Sequence, residues 1–244
     1  MDRRDFIKKA TIVAAGAAVV SPKPTKDIYF AGGCFWGTEH FFKQIEGVAV
    51  TEVGFANGHT ENPTYKEVYT DQTGFAETVF VRFYPEVVSL EFLLQMFFKA
   101  IDPTSLNKQG HDEGTRYRTG VYYTDPADLP VIDKVFAEEQ KNYEQPLAVE
   151  KLPLQNFYTA EEYHQDYLDK NPDGYCHLPL SLFEFARKAK PARPGKEPPG
   201  IGHRGMGGQR HQLRLSQGHQ RPCGADGKGC RRCSDVTVKT RKCS

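Results

Sequence analysis

The chain has 244 residues, and its 32 lysines and arginines nearly balance its 31 aspartates and glutamates, which gives a formal net charge of +1 at pH 7. This balance conceals an acidic body, with 17 basic and 28 acidic side chains in residues 1–186, and a basic tail, with 15 basic and three acidic ones in residues 187–244. The sequence has no glycine-rich phosphate loop and no dinucleotide-binding fingerprint, which argues against the common nucleotide-dependent enzymes.

Residues 1–26 are predicted to be an export signal and a linker. Arg3 and Arg4 begin a basic stretch that resembles a twin-arginine signal, and residues 10–20 form a mild apolar run. That run is too short to span a bilayer comfortably. We therefore expect a protein outside the cytoplasm, periplasmic or membrane-associated. A flexible terminus or a short core helix is the alternative, and the protein would then be cytoplasmic.

The body, residues 27–186, is long enough for one domain with a hydrophobic core. Five segments have the apolar character of strands, namely residues 27–31, 48–54, 78–84, 119–123 and 148–152. Helices are predicted at residues 38–45, at 90–100 after a Ser89 cap, at 127–143 with Pro126 in the first turn, and from a capping box at 159–162 through 169.

The first six elements follow the order strand, helix, strand, strand, helix, strand. This order predicts an α+β protein with the split β-α-β arrangement of ferredoxin-like folds, in which helices cover one face of an antiparallel sheet. Long loops remain at residues 55–76 and 101–118. Loops of that length in a compact domain are usually functional, so we expect them at the active site.

Cys34 lies where the first strand gives way to the first helix, between two glycines and two large aromatic residues. The glycines permit a tight turn. At a helix N-terminus, free amide hydrogens and the helix dipole stabilise a thiolate, which predicts a lowered thiol pKa and a nucleophilic cysteine. A buried structural cysteine is the alternative, although it does not explain the glycines and aromatic residues at this turn.

Five motifs between residues 27 and 185 carry a family resemblance: GCFWG at 33–37, NPTY at 62–65, GFAE at 74–77, HDEGTRY at 111–117 and NPDGYC at 171–176. In sequence and order they resemble the peptide methionine sulfoxide reductase A family. The resemblance implies an oxidoreductase that reduces methionine S-sulfoxide, free or in oxidised proteins, to methionine. It implies no cofactor and no metal.

The resemblance also implies a set of site residues. A sulfoxide sulfur is a poor electrophile until its oxygen is protonated or hydrogen-bonded, and Cys34 matches the nucleophile while Glu77 matches the acid. Desolvation beside aromatic residues would let Glu77 hold a proton near neutral pH; without the motif, a solvated glutamate at a strand start is the better interpretation. The other matches are the phenolic donors Tyr65 and Tyr117, the carboxylate Asp112, and the wall for the methyl group, Phe35 and Trp36.

Cys176 is the second cysteine of the body and matches a resolving position of the family. Attack by Cys34 would leave a sulfenic acid, which Cys176 would convert into a disulfide for thioredoxin or a thioredoxin-like dithiol to reduce. A permanent structural bridge between the two cysteines is the alternative in an oxidising compartment. No further recycling cysteine follows closely, although some family members carry one.

Residues 187–244 contain no aromatic side chain and only scattered aliphatic ones, which predicts a disordered tail. Its lack of aromatic residues also argues against nucleic-acid binding, since nothing could stack on bases. The tail holds Cys223, Cys230, Cys233 and Cys243. They supply one close pair, which is a poor zinc site. A non-native or frameshifted extension is a further interpretation of this segment.

His40, His111 and His164 form no evident triad or metal arrangement and are interpreted as structural. Two other functions stay open: another thiol oxidoreductase, such as a peroxidase that acts through Cys34, and a non-catalytic ferredoxin-like interaction module. Consumption of peroxide rather than a methyl sulfoxide would indicate the peroxidase, and an inert Cys34 would indicate the module. We expect a monomer.

Overall fold

The computed structural model describes residues 23–191, so the predicted signal and nearly all of the predicted tail lie outside the described residues. The strands are β1 (Lys26–Gly32), β2 (Val48–Ala56), β3 (Ala76–Phe83), β4 (Lys108–Gln109), β5 (Asp112–Glu113), β6 (Thr119–Tyr123), β7 (Glu150–Pro153) and β8 (Phe157–Thr159). The helices are α1 (Phe35–Lys43), α2 (Tyr65–Val68), α3 (Leu90–Ala100), α4 (Leu129–Gln140), α5 (Tyr167–Lys170) and α6 (Leu180–Lys188).

Six strands form one sheet in the order β7-β6-β1-β3-β2-β8. The four central strands, β6, β1, β3 and β2, pair antiparallel with one another, and α1 and α3 connect them in the split β-α-β manner. The predicted α+β ferredoxin-like arrangement is therefore confirmed. At the two edges, β7 pairs in parallel with β6, and β8 pairs antiparallel with β2. The hairpin of β4 and β5 forms a separate small sheet.

The core lies between the central sheet and the helices. Ile28 and Phe30, two positions apart on β1, are both fully buried, as expected when one face of a strand packs on helices. The Phe30 ring stacks on Phe42 of α1 at 4.5 Å and lies 5.0 Å from Phe97 of α3. These contacts hold α1 and α3 against β1. Among residues 23–191, no helix is long and apolar enough to cross a membrane.

The predicted helix from the capping box at residues 159–162 through residue 169 is wrong. Thr159 is the last residue of β8 and pairs with Gly54. The Thr159 hydroxyl donates to the Glu52 carboxylate, and the Glu162 carboxylate accepts from Lys170 at 3.2 Å, so the two ends of the predicted box do not cap each other. Asp166 then adopts a left-handed conformation (φ +54°), and only the short α5 follows. Long-range bonds therefore override the local capping pattern here.

Other differences concern boundaries. The helix α1 begins at Phe35, three residues earlier than predicted, and β3 begins early enough to include Glu77. The unpredicted α6 continues to Lys188, past the predicted end of the body at residue 186. Ala186 is fully buried, and the Arg187 guanidinium donates to Gln44 Oε1 at 2.9 Å. The last helix of the body is thus fastened to the end of α1.

Candidate active site

The turn before α1 fixes the backbone of Cys34. Gly33 has a φ of +82°, which favours glycine, and a Cβ added there would lie 2.6 Å from Gln109 Cβ. Cys34 caps the helix in a non-helical conformation (φ −56°, ψ 122°). The Thr38 hydroxyl donates to the carbonyl oxygens of Cys34 at 3.1 Å and Gly32 at 3.2 Å. Hydrogen bonds from Thr38 therefore stabilise the turn that carries the predicted nucleophile.

The Cys34 thiol is more deeply buried than the sequence suggested. It is 5% exposed, and burial together with the nearby Glu77 carboxyl raises its pKa well above the ordinary value. The amides of Trp36 and Gly37 at the helix start act in the opposite direction but do not prevail. The prediction of a lowered thiol pKa is therefore wrong for the resting site, and Cys34 is a neutral thiol there.

Glu77 lies on β3, directly beside the start of α1. Its side chain is 1% exposed, its Oε2 accepts the Phe35 amide at 3.1 Å, and its Oε1 is buried without a hydrogen-bond partner. Burial raises the pKa of Glu77 to about 8, while the Phe35 amide and the Arg116 charge oppose this rise. At neutral pH Glu77 is consequently a protonated acid with a free oxygen near Cys34.

The same neighbouring groups shift the pKa values of the Tyr65 and Tyr117 phenols. Burial, followed by the Glu77 charge, raises the pKa of Tyr117 to about 12, and the same two causes raise the pKa of Tyr65 further. Cys34 also contributes to both shifts, which places the thiol, the carboxyl group and the two phenols in one cluster. Both phenols keep their protons over the physiological range and are hydrogen-bond donors.

Arg116 orients the loop that carries Tyr117. Its guanidinium lies 4.1 Å from the centre of the Tyr69 ring and 4.3 Å from the centre of the Tyr117 ring. It also donates to Asp71 Oδ2 at 2.8 Å, and the Arg116 amide donates to Asp71 Oδ1 at 3.0 Å. This largely buried cation is held by Asp71, and it fixes the position of the neighbouring phenol.

An aromatic wall borders the cluster. Phe35 is 1% exposed, and Trp36 stacks on Tyr167 with ring centres 3.8 Å apart. The Trp36 indole donates to His164 Nδ1 at 3.1 Å, and the His164 ring lies 4.4 Å from the Tyr65 ring. His164 thus orients the indole and packs on the phenol. An apolar surface of this kind suits a methyl group.

Asp112 and Cys176 approach α1 from other segments. The Tyr175 hydroxyl donates to Asp112 Oδ1 at 2.8 Å. Cys176 is half-buried, and a Cβ added to Gly37 would lie 3.0 Å from its sulfur, so Cys176 rests on the first turn of the helix that Cys34 begins. Cys34 and Cys176 are both free thiols in the described structure. The predicted nucleophile, acid, donors, wall and second cysteine therefore surround one end of α1.

Sequence reasoning missed two histidines and the arginine of this site. His164 was interpreted as structural without a partner, His177 was not considered, and Arg116 was noted only as part of a motif. Each is defined by contacts across the fold, which leave no local pattern. For His177, the one available signal was its position directly after Cys176 in the sequence.

Comparisons with known proteins agree on one family. The family model described as peptide methionine sulfoxide reductase matches residues 26–193. A Clostridium acetobutylicum peptide methionine sulfoxide reductase MsrA is 55% identical over 159 residues, which cover 65% of this chain and 98% of the relative. The Clostridium perfringens protein of the same name is 56% identical over 155 residues, which cover 64% of this chain and 99% of the relative.

Two solved structures are similar as well. The reduced form of Mxr1 from Saccharomyces cerevisiae is 40% identical with a TM-score of 0.62, covering 66% of this chain and 94% of that protein. Methionine sulfoxide reductase A of Corynebacterium diphtheriae is 37% identical with a TM-score of 0.58, covering 64% and 79%. Because the family model spans more than half of the chain and these relatives agree with it, the chain belongs to the peptide methionine sulfoxide reductase A family.

Proposed function

We propose that Cys34, Glu77 and Cys176 carry out the reaction of this family in the present chain. Family membership makes the chain an oxidoreductase that reduces methionine S-sulfoxide to methionine at the expense of thiols. The residue roles are our proposal: Cys34 is the nucleophile, Glu77 the proton donor and Cys176 the resolving thiol. The observation that carries the proposal is the buried, protonated Glu77 carboxyl group beside the Cys34 turn.

In the first step the Cys34 sulfur attacks the sulfoxide sulfur while Glu77 gives its proton to the sulfoxide oxygen. The oxygen then passes to Cys34, the sulfur–oxygen bond of the substrate breaks, and methionine leaves. Cys34 becomes a sulfenic acid, so its sulfur is oxidised by two electrons and the substrate sulfur is reduced by two. The proton that Cys34 loses returns Glu77 to its acid form.

The surrounding groups support this assignment. Protonation of a sulfoxide oxygen needs an acid that still holds its proton at neutral pH, and the Glu77 pKa of about 8 meets that need. Tyr65 and Tyr117 supply neutral donors for the same oxygen. Phe35 and Trp36 offer the apolar wall on which the methyl group packs.

In the second step the Cys176 thiol attacks the sulfenic acid, a disulfide between Cys34 and Cys176 forms, and water leaves. The position of Cys176 over the first turn of α1 supports this role. A thioredoxin-like dithiol then reduces the disulfide and becomes a disulfide itself. We propose oxidised proteins and free methionine sulfoxide as substrates. Export through the twin-arginine-like signal remains a prediction, since that segment lies outside the described residues.

The experiment is an assay of each methionine sulfoxide epimer with a dithiol reductant, in the wild-type chain and in Cys34→Ser. The wild-type chain should convert the S epimer and spare the R epimer. Cys34→Ser should keep its circular dichroism spectrum and lose turnover, because an alcohol does not supply a thiol nucleophile. Near-normal turnover by Cys34→Ser, or consumption of peroxide in place of sulfoxide, would overturn the mechanism.

A further inference from the structure

A cluster of three metal-ligating side chains lies at the mouth of the site. Cys34 Sγ, one Asp112 carboxylate oxygen and one His177 ring nitrogen all lie within 4.8 Å of one another. They come from the start of α1, from the β4–β5 hairpin and from the loop after Cys176. The cluster therefore exists only in the folded protein, which is why the sequence predicted no metal site.

Two members of this cluster hold buried polar atoms that make no well-formed hydrogen bond within residues 23–191. These atoms are Asp112 Oδ2 and the two ring nitrogens of His177, although the Gly32 backbone lies close to the His177 ring. The other Asp112 oxygen is occupied by the Tyr175 hydroxyl, which leaves Oδ2 to face the cluster. Buried polar atoms without partners are costly, so a group that bonds to all of them at once would be stabilised here.

The donor set selects the kind of group. A thiolate, an imidazole and a carboxylate are the ligands of zinc, which binds three protein groups and keeps a fourth position open in sites that face solvent. Magnesium and calcium require oxygen ligands and would not accept the sulfur or the imidazole. All three separations are at most 4.8 Å, so the ligand atoms surround one common point where an ion could lie.

The cluster is accessible from one side. Asp112 and His177 are only half-buried, so an ion can reach the cluster from solvent on their side.

We propose that Cys34, Asp112 and His177 form a reversible binding site for a zinc-class divalent cation. On binding, the ion replaces the Cys34 thiol proton, which passes to solvent, and no atom changes its oxidation state. The bound ion occupies the sulfur that attacks the substrate, so it blocks sulfoxide reduction; this consequence rests on the proposed function of Cys34. Removal of the ion restores the thiol.

The test measures zinc at Cys34 itself, without a sulfoxide. The reduced full-length chain is treated with iodoacetamide at a series of free Zn²⁺ concentrations fixed by a chelator buffer, so that uptake by Cys223 and the other tail cysteines does not alter the free concentration. Mass spectrometry then reports alkylation of the Cys34 peptide. Zn²⁺ should protect Cys34, and Mg²⁺ should not.

Three variants assign the ligands. In His177→Gln and Asp112→Asn, half-protection of Cys34 should need a roughly 10-fold or higher free Zn²⁺ concentration, because a ligand is lost. His111→Gln is the matched control: His111 is exposed, neighbours Asp112 in sequence and lies outside the cluster, so its curve should equal that of the wild-type chain. Melting temperatures verify that each variant is folded.

Activity measurements complete the test. Zn²⁺ should inhibit sulfoxide reduction by the wild-type chain at the free concentrations that protect Cys34. Inhibition of His177→Gln, expressed relative to its own rate without metal, should need a higher Zn²⁺ concentration. Absence of Zn²⁺ protection in the wild-type chain, or equal protection in His177→Gln, would overturn the proposed site. Protection of Cys34 in a chain that reduces no sulfoxide would leave the metal site standing and would contradict only the proposed function.

Discussion

Cys34 and Glu77 are both neutral in the resting protein, because burial raises the pKa of the thiol and of the carboxyl group. A neutral thiol is a weak nucleophile, which protects it from indiscriminate oxidation. In the proposed mechanism, the proton balance changes only when a sulfoxide oxygen enters and accepts the proton of Glu77. Under that proposal, the two pKa shifts couple activation of the nucleophile to the presence of substrate.

Replacement of Glu77 by glutamine should slow methionine release in a single turnover by about 10² at neutral pH, since the amide keeps the shape but cannot donate a proton as an acid. Both side chains are uncharged below the Glu77 pKa of about 8, so the rate ratio of wild type to Glu77→Gln should be constant there. Above pH 8 Glu77 loses its proton and the ratio should fall. Rapid-quench assays from about pH 6 to pH 9 measure this ratio of the wild-type rate to the Glu77→Gln rate.

Thermal unfolding gives a control that is independent of catalysis. The pKa of Glu77 rises from 4.5 to about 8 on folding, so between these values the folded chain retains a proton that the unfolded chain releases. The free energy of unfolding therefore falls as pH rises through that window. The melting temperature of Glu77→Gln should fall less over the same window. Parallel curves for the two chains would contradict the buried, protonated carboxyl group.

Cys176→Ser should separate the reduction of substrate from the recycling of the enzyme. Cys34 still attacks once, so about one equivalent of methionine per chain should appear and a dimedone-type probe should trap the sulfenic acid. Turnover with thioredoxin should collapse, because no disulfide forms for it to attack. Normal turnover would mean that Cys34 is reduced directly or that a tail cysteine resolves it; the same variant without residues 192–244 distinguishes these two outcomes.

The short helix α2 begins with Tyr65, and a capping box stabilises its N-terminus. The Thr64 side chain accepts the Glu67 amide at 3.4 Å, and the Glu67 carboxylate accepts the Thr64 amide at 2.8 Å. The longer α3 has a comparable cap, in which Ser89 Oγ accepts the Phe92 amide at 3.1 Å. Only the first of these caps lies beside the proposed catalytic groups.

Thr64→Ala and Ser89→Ala should each lower the free energy of unfolding by about 1 kcal/mol, the usual cost of losing an N-cap. Thr64→Ala should also lower kcat, because the first residue of α2 is Tyr65. Ser89→Ala should leave kcat unchanged and thus serves as the matched control. Denaturant titration and steady-state assays measure the two effects, and equal kcat values for both variants would contradict a positioning role for α2.

The central strands and the helix after Ser89 could be predicted from the sequence because their patterns are local. The helix α3, for example, spans the residues that were predicted for it. The predicted capping box at residues 159–162 is wrong because Thr159 pairs with β2 as part of β8 and bonds to Glu52, far away in the chain. Cys34 and Glu77 were found through motifs, but the direction of the Cys34 pKa shift depends on burial. Burial is set by the packing of several segments, which no short pattern encodes.

In the whole molecule, α6 is part of the packed core. Leu182, Phe183 and Ala186 are buried, whereas the Lys190–Glu46 ion pair is exposed and contributes little to stability. The family match runs to residue 193 and so includes α6. We therefore expect the folded domain to need α6.

A chain of residues 23–191 alone should retain full activity and nearly the melting temperature of the 244-residue chain. A second truncation that ends at residue 179 removes α6, and each buried Leu or Phe side chain lost is worth about 1.5–3 kcal/mol. It should unfold at a clearly lower temperature. Differential scanning calorimetry compares the three chains. A large loss of stability in the 23–191 chain would show that the segments beyond it support the fold.

The two edge strands of the sheet, β7 and β8, are short. A long edge strand with unpaired backbone groups can bind an extended segment of another protein as an extra strand. Partly unfolded proteins expose such segments. Here β7 has four residues, including Lys151 and Pro153, and β8 has three. Proline offers no amide hydrogen to a neighbour, and strands this short offer few. Both edges of the sheet therefore offer few free backbone amides with which another extended chain could pair.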